Sequence, residues 1–254
     1  MCGRFNNHLP IMLGWAEMLS ELPRIYQSDV NQPQMAQTSR IFESFNVTPS
    51  STIVAFANFD KNVASHCEVS KAIQSSELLG KPMRWGMIPQ WSNSFSSKYA
   101  TFNARIESIA EKPTFRSAWK HQQRCLIPMA GYYEWQAAKQ AGSKQPFYIT
   151  DKNVGGLVAA GLYEVWGQLN DVKISCTMIT RPADPGLDSI HHRMPVLLDP
   201  QSATQWLHCD TGHAEQLLNE LVSPDVVYWP VGTAVGNIRN DTKGLCEPLD
   251  LVLA

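Results

Sequence analysis

The chain has 254 residues, 44% of them hydrophobic and 17% charged, with a formal net charge of −2. This composition suits one large globular domain or two small ones, of which a single domain, 1–254, is the expectation, and it speaks against a low-complexity protein. No run reaches the roughly 20 apolar residues that a membrane-spanning helix needs, so no membrane contact is expected, and the near-neutral charge argues against a general polyanion binder.

In chain order, the first informative residue is Cys2, which follows Met1 directly. Removal of Met1 would leave an α-amine and a thiol on one residue. Their ordinary pKa values of about 7.7–8.0 and about 8.5 keep both partly nucleophilic near neutrality. Such an aminothiol condenses with an aldehyde to an imine, and the thiol then closes a thiazolidine ring. The competing reading is a small second residue with no role. Pro10–Leu19 has the spacing of an amphipathic helix; Glu17 and the lack of a small-residue cleavage site set it apart from a signal peptide. The six cysteines are scattered without a C-x-x-C pair. They fit reduced thiols in a cytoplasmic protein, nucleoid-associated if the source is bacterial.

A strand is expected over Thr52–Ala57. From Lys81 to Arg124 there are eight basic and two acidic residues, interleaved with aromatics that include Trp85, Trp91, Phe102 and Trp119. Cations alternating with rings suit a phosphate backbone with exposed bases; a solvated face over core aromatics reads the same way. Within this tract a helix is expected over Arg105–Ala110, extending toward Trp119, with Asn103 and Arg105 at its start. Free N–H groups and a guanidinium there would receive an anion, whereas Asn103 alone would be a cap.

Strand-like runs then dominate: Arg124–Gln136, Gln145–Thr150, Leu157–Trp166, Val172–Thr180, Met194–Leu198 and Val226–Trp229. Asn170-Asp171 marks a hairpin turn. Helices are expected over Pro200–His208, with Asp199 as cap, and over Gly212–Leu221. Strands outnumber helices and do not alternate with them. The fold class expected is therefore α+β, a bent, mostly antiparallel or mixed β-sheet with peripheral helices.

Two further polar groups interrupt this pattern. Glu134 lies in Gly131-Tyr132-Tyr133-Glu134-Trp135 at the end of an apolar run. Desolvation between aromatics would raise its carboxyl toward the range of a general acid or base, but strand alternation alone leaves open whether it faces water. His191 and His192 precede a strand, where imidazole can shuttle a proton or hold a sugar hydroxyl. Their spacing to His208, Cys209 and His213 matches no zinc frame, so no metal is expected.

Seven motifs occur together in order: Met-Cys-Gly-Arg-Phe at the start, Phe45-Asn46-Val47-Thr48-Pro49, Trp85-Gly86-Met87-Ile88-Pro89 with Trp91, Asn103-Ala104-Arg105, Gly131 to Trp135, Ile190-His191-His192-Arg193-Met194-Pro195 and Val235-Gly236-Asn237. In this set the chain resembles the SOS response-associated peptidase (SRAP) family, whose members recognise and crosslink to abasic sites in single-stranded DNA. The resemblance implies that Cys2 is the catalytic cysteine, exposed by self-removal of Met1, with Asn103, Glu134 and His191 as its active-site partners. It also implies that Arg4, Arg105 and Arg116 contact phosphates, and that Pro49 and Trp91 pack against bases beside the lesion. Two departures stand out. Ser92 replaces a second tryptophan found in some members, and Lys112-Pro113-Thr114 lacks an expected arginine before Phe115.

The resemblance thus implies an autoproteolytic protein with lyase-like chemistry, acting as a monomer on abasic single-stranded DNA without a cofactor. Two other functions begin from the same residues. An N-terminal-nucleophile amidohydrolase of the glutaminase type also starts Met-Cys-Gly and uses the freed amine as base. A non-covalent single-stranded DNA-binding protein would need only Arg4, Arg105 and Trp91.

Overall fold

The run Arg124–Gln136 is two strands, because the chain changes sheets at Ala130. The structure, a computed structural model, describes residues 2–8, 44–58, 78–137, 144–153, 156–167 and 171–249; the expected helix Pro10–Leu19 lies outside them. Twelve strands are described: β1 (Phe5–Asn6), β2 (Thr52–Asn58), β3 (Leu78–Trp85), β4 (Asn103–Arg105), β5 (Arg124–Met129), β6 (Gly131–Gln136), β7 (Gln145–Asp151), β8 (Leu157–Trp166), β9 (Lys173–Pro182), β10 (Arg193–Pro195), β11 (Leu197–Leu198) and β12 (Val226–Pro230). The helices are α1 (Arg116–Lys120), α2 (Pro200–His208) and α3 (Thr211–Glu220). The fold is α+β and dominated by mixed sheet, as expected.

In the larger sheet the pairings close on themselves. β3 pairs β2, β2 pairs β5, β5 pairs β8, β8 pairs β9, and β9 returns in parallel to β3. A ring of five strands is too narrow to hold helices, so its two faces are distinguishable. Ile53, Ala55, Met83, Trp85, Ile127, Tyr163 and Met178 share the inner core. Leu126, Ala160, Leu162 and Ile179 belong to the outer core, covered by Trp119 of α1 and Trp206 of α2. The Asp199 side chain accepts from the Ser202 N–H at 2.7 Å, so α2 starts where its cap and Pro200 predict.

The smaller sheet has the order β1-β6-β7-β12. One face joins the inner core through Phe5, Tyr132 and Ile149, next to Cys2. The other face carries Tyr133 and Tyr148 under Val231, Val235 and Leu245. Gly131 opens β6 where a Cβ would come within 2.5 Å of the Ile149 carbonyl oxygen, so only glycine fits that approach.

Two sequence expectations need correction. Arg105–Ala110 is not a helix: Asn103–Arg105 is captured by β9, with Asn103 opposite Met178 and Arg105 opposite Thr180, and a single 3₁₀ turn, Ile106–Ser108, follows. Pro113 blocks a helix from running on, so only the five residues of α1 are α-helical there. β3 has no counterpart among the expected strands because Gly80-Lys81-Pro82 looks like a turn. Pro82 is tolerated because β9 pairs only with Arg84 and Trp85, which leaves that side of β3 without a strand at Pro82. The β8–β9 hairpin forms as expected, with Trp166 opposite Lys173, although Asn170 lies outside the described residues.

Candidate active site and nucleic-acid interface

β1 fixes Cys2 beside β6. Phe5 is opposite Tyr132, and the Tyr133 N–H donates to the Arg4 carbonyl at 3.0 Å. Continuing that register sets Gly3 opposite Glu134. Alternation along β6 sends Tyr132 and Glu134 toward Cys2, and sends Tyr133 and Trp135 into the core on the far side. The question that periodicity left open is thereby decided: Glu134 faces inward and is only 4% exposed. Burial pushes its carboxyl above the ordinary carboxylate range. Cys2 is fully buried; burial first, and the charge of Glu134 second, hold its thiol far above the ordinary value.

Asn103 approaches from β4. Its Nδ2 donates to the Cys2 carbonyl at 2.7 Å, and its buried Oδ1 has no hydrogen-bond partner among the described residues. The sequence placed Asn103 at a helix start, yet its side chain caps nothing: it fixes the backbone of Cys2.

His191 ends the turns after β9. Leu187 and Ile190 anchor these turns in the inner core, and the His191 N–H donates to the Leu187 carbonyl at 3.0 Å. Gln136, two residues beyond Glu134, donates to the Ser189 carbonyl at 2.8 Å and ties the turn to the end of β6. Nδ1 of His191 lies 3.8 Å from Oε1 of Glu134. The same Nδ1 lies 3.0 Å from the Arg193 N–H and 3.2 Å from the Arg193 carbonyl oxygen; as the acceptor of that N–H it leaves the ring proton of the neutral imidazole on Nε2. Burial lowers the His191 pKa. Cys2, Asn103, Glu134 and His191 thus converge from four separate segments.

The residues expected to contact DNA divide into two groups. Arg4 and Arg105 flank the Cys2 cluster. Arg4 Nη1 donates to Asn46 Oδ1 and to the Val235 carbonyl, both at 2.9 Å, which brings three of the sequence motifs to one place. Arg105 stands on the same side of β4 as Asn103 and is exposed. Pro49 caps a tight turn in which the Ser50 N–H donates to the Trp85 carbonyl at 2.7 Å, while Arg84 Nη2 donates to Ser50 Oγ at 2.7 Å. Trp91, 67% exposed, and Arg116 line a separate cleft of about 700 Å³ with Trp119 and Lys120. None of the four Cys2-cluster residues lines that cleft.

Sequence reasoning assigned no role to Gln136, Asn46 or the Glu107–Arg193 ion pair. Glu107 and Arg193 are 86 positions apart, and no spacing pattern signals such a contact. His213 hydrogen-bonds Asp210, and no group of three His, Cys, Asp or Glu residues among the described residues could hold a metal ion. No helix among the described residues is long and apolar enough to cross a membrane.

The family model "SOS response associated peptidase (SRAP)" matches residues 1–238. The chain belongs to the SRAP family. Among its relatives is the abasic site processing protein HMCES of Pongo abelii, 30% identical, aligned over 100% of this chain and 77% of the relative. The abasic site processing protein YoqW of Bacillus subtilis is also 30% identical, over 97% of this chain and 99% of its own. A crystal structure of a Bacteroides thetaiotaomicron protein superposes with a TM-score of 0.71, covering 98% of this SRAP chain and 100% of that chain at 22% identity. At that identity the superposition speaks for the fold alone.

Proposed function

We propose that this SRAP protein processes abasic sites in single-stranded DNA by removing its own Met1 and capturing the lesion as a thiazolidine on Cys2. The observation that carries this reading is the placement of Cys2 against Glu134, with His191 3.8 Å from that carboxylate and Asn103 bonded to the Cys2 carbonyl. A buried thiol with a strongly raised pKa is a poor nucleophile alone. It needs a base at its side, and Glu134 is the group placed to act as one.

In the proposed sequence, Nε2–H of His191 holds the sugar ring oxygen by a hydrogen bond while the hemiacetal opens to the aldehyde, and the ring oxygen takes up the proton that the anomeric hydroxyl gives up. The freed Cys2 amine adds to that carbonyl, one water leaves, and an imine remains. Glu134 accepts the thiol proton, Sγ adds to the imine carbon, and the ring nitrogen takes up a proton. The net change is one C–N bond and one C–S bond formed with loss of one water. Asn103 holds the Cys2 carbonyl, which orients the amine, while its Oδ1 is available to a sugar hydroxyl. A carboxyl raised by burial and an imidazole lowered by burial can exchange a proton near neutrality. Hydrolysis of the Met1–Cys2 bond would use the same carboxylate.

Arg4 and Arg105 would hold phosphates beside the lesion, Pro49 would pack against a flanking base, and Trp91 with Arg116 would receive the strand further along. A single strand is the expected substrate because in a duplex the stacked, paired bases on either side oppose rotation of the abasic sugar into a buried site. The direct assay mixes the protein with an abasic oligonucleotide and runs the product in SDS. A shifted band is expected with wild type and absent with Cys2→Ala; a shifted band from Cys2→Ala would overturn the assignment of Cys2.

A further inference from the structure

The Glu107–Arg193 ion pair sits where two arms of the site meet. Glu107 lies in the 3₁₀ turn directly after β4, the strand that carries Asn103 and Arg105. Arg193 opens β10, two residues after His191. Its guanidinium makes a two-pronged bond, Nη1 to Oε1 at 2.5 Å and Nη2 to Oε2 at 3.0 Å, and Nη2 also donates to the Thr180 carbonyl at 2.7 Å. Thr180 is itself paired with Arg105 of β4. Arg193 is only 8% exposed, so this fork serves the protein interior. Its main-chain N–H meets Nδ1 of His191 at 3.0 Å, and its carbonyl oxygen lies 3.2 Å from the same nitrogen.

We propose that Glu107 is a positioning residue that acts through Arg193 to hold the His191 ring in its working orientation. This rests on the proposed role of His191 in opening the sugar. With the ion pair intact, the Arg193 N–H occupies the Nδ1 lone pair, and the exchangeable proton stays on Nε2. If the pair is cut, the 191–193 turn loses its tie to the turn after β4 and is held only from the β9 side, by the Thr180 carbonyl and the β10 pairing. Nδ1 can then turn to the Glu134 carboxylate, whose attraction favours protonated imidazole. The charged and titratable groups around the ring include the amino terminus, Glu134 from β6, Lys144 before β7, and the adjacent His192 and Arg193; His192 stacks on His191 with ring centroids 4.3 Å apart. None of them replaces Glu107 as an anchor for Arg193.

Glu107→Gln keeps the side-chain shape and removes the charge at a half-exposed position, and Arg193→Lys keeps a charge and removes the fork. Two measurements are made on each variant and on wild type: imidazole NMR of His191 across pH, and the crosslinking rate at saturating abasic single strand. The expected result in both variants is a raised His191 pKa with loss of the Nε2-protonated neutral form, together with a rate lower by about tenfold or more at unchanged DNA affinity. An unchanged His191 titration overturns the positioning role. So does a variant that weakens only DNA affinity and lowers the salt dependence by about 0.7, the signature of one lost phosphate contact. The NMR arm needs no reaction: if wild type fails to crosslink while His191 still shifts in Glu107→Gln, the crosslinking reading fails and the positioning role stands.

Discussion

Two glutamates are buried to nearly the same extent, Glu134 at 4% exposure on β6 and Glu164 at 3% on β8. Burial raises both carboxyls, and Glu164 reaches about 7. Their surroundings differ. Glu134 faces the Cys2 thiol and an imidazole held by its own backbone contacts. Glu164 shares the outer face with Leu162; its Oε1 accepts the Val165 N–H at 3.3 Å, Gln123 stands beside it, and Oε2 has no partner among the described residues. A raised carboxyl therefore reports burial, and its use depends on what converges on it.

The largest expected effects fall on the Glu134 side. Cys2→Ala abolishes covalent capture and leaves affinity for intact single strands within about twofold, because phosphate contacts carry that affinity. Glu134→Gln slows capture by about 10²–10⁴-fold, the usual range for losing a positioned base. Wild-type capture should also lose rate as pH falls through the raised Glu134 pKa, since the carboxylate form is the base. Glu164→Gln should leave capture within about twofold. Equal rate losses in the two glutamate variants would erase the distinction between the two regions.

Stability sharpens the contrast on the other side. Glu164 moves from an ordinary 4.5 to about 7 on folding, so the folded state binds more protons between those values. Its contribution is fully present below pH 4.5 and is lost as pH rises through 7, a change of about 3 kcal/mol at most. Urea unfolding should show Glu164→Gln gaining on wild type between pH 4 and pH 8; a constant difference would mean that Glu164 does not titrate as a buried acid. The smallest expected effect is electrostatic: Arg105→Gln should lower the slope of log affinity against log salt by about 0.7. An unchanged slope would remove Arg105 from the DNA path.

How much of this was legible depended on whether the signal was local. β8, and α2 with its Asp199 cap and Pro200, could be read directly because propensity, capping and periodicity agree there. β4 could not, since only its non-local pairing with β9 makes Asn103–Arg105 a strand. The direction of Glu134 depended on which sheet β6 joins, and that follows from the break at Ala130 rather than from the pattern within Gly131–Gln136. The four members of the Cys2 cluster could be named from their motifs. The residues that hold them could not: Gln136 reaches Ser189, and Glu107 reaches Arg193, across gaps in sequence that leave no periodic trace.

The most direct test of the central claim is intact mass spectrometry of the purified chain, alone and after incubation with an abasic single-stranded oligonucleotide. The account predicts a chain lacking Met1, and after incubation a single adduct equal to protein plus oligonucleotide minus one water. A chain that keeps Met1 yet forms the adduct, or one that loses Met1 and forms none, would contradict it.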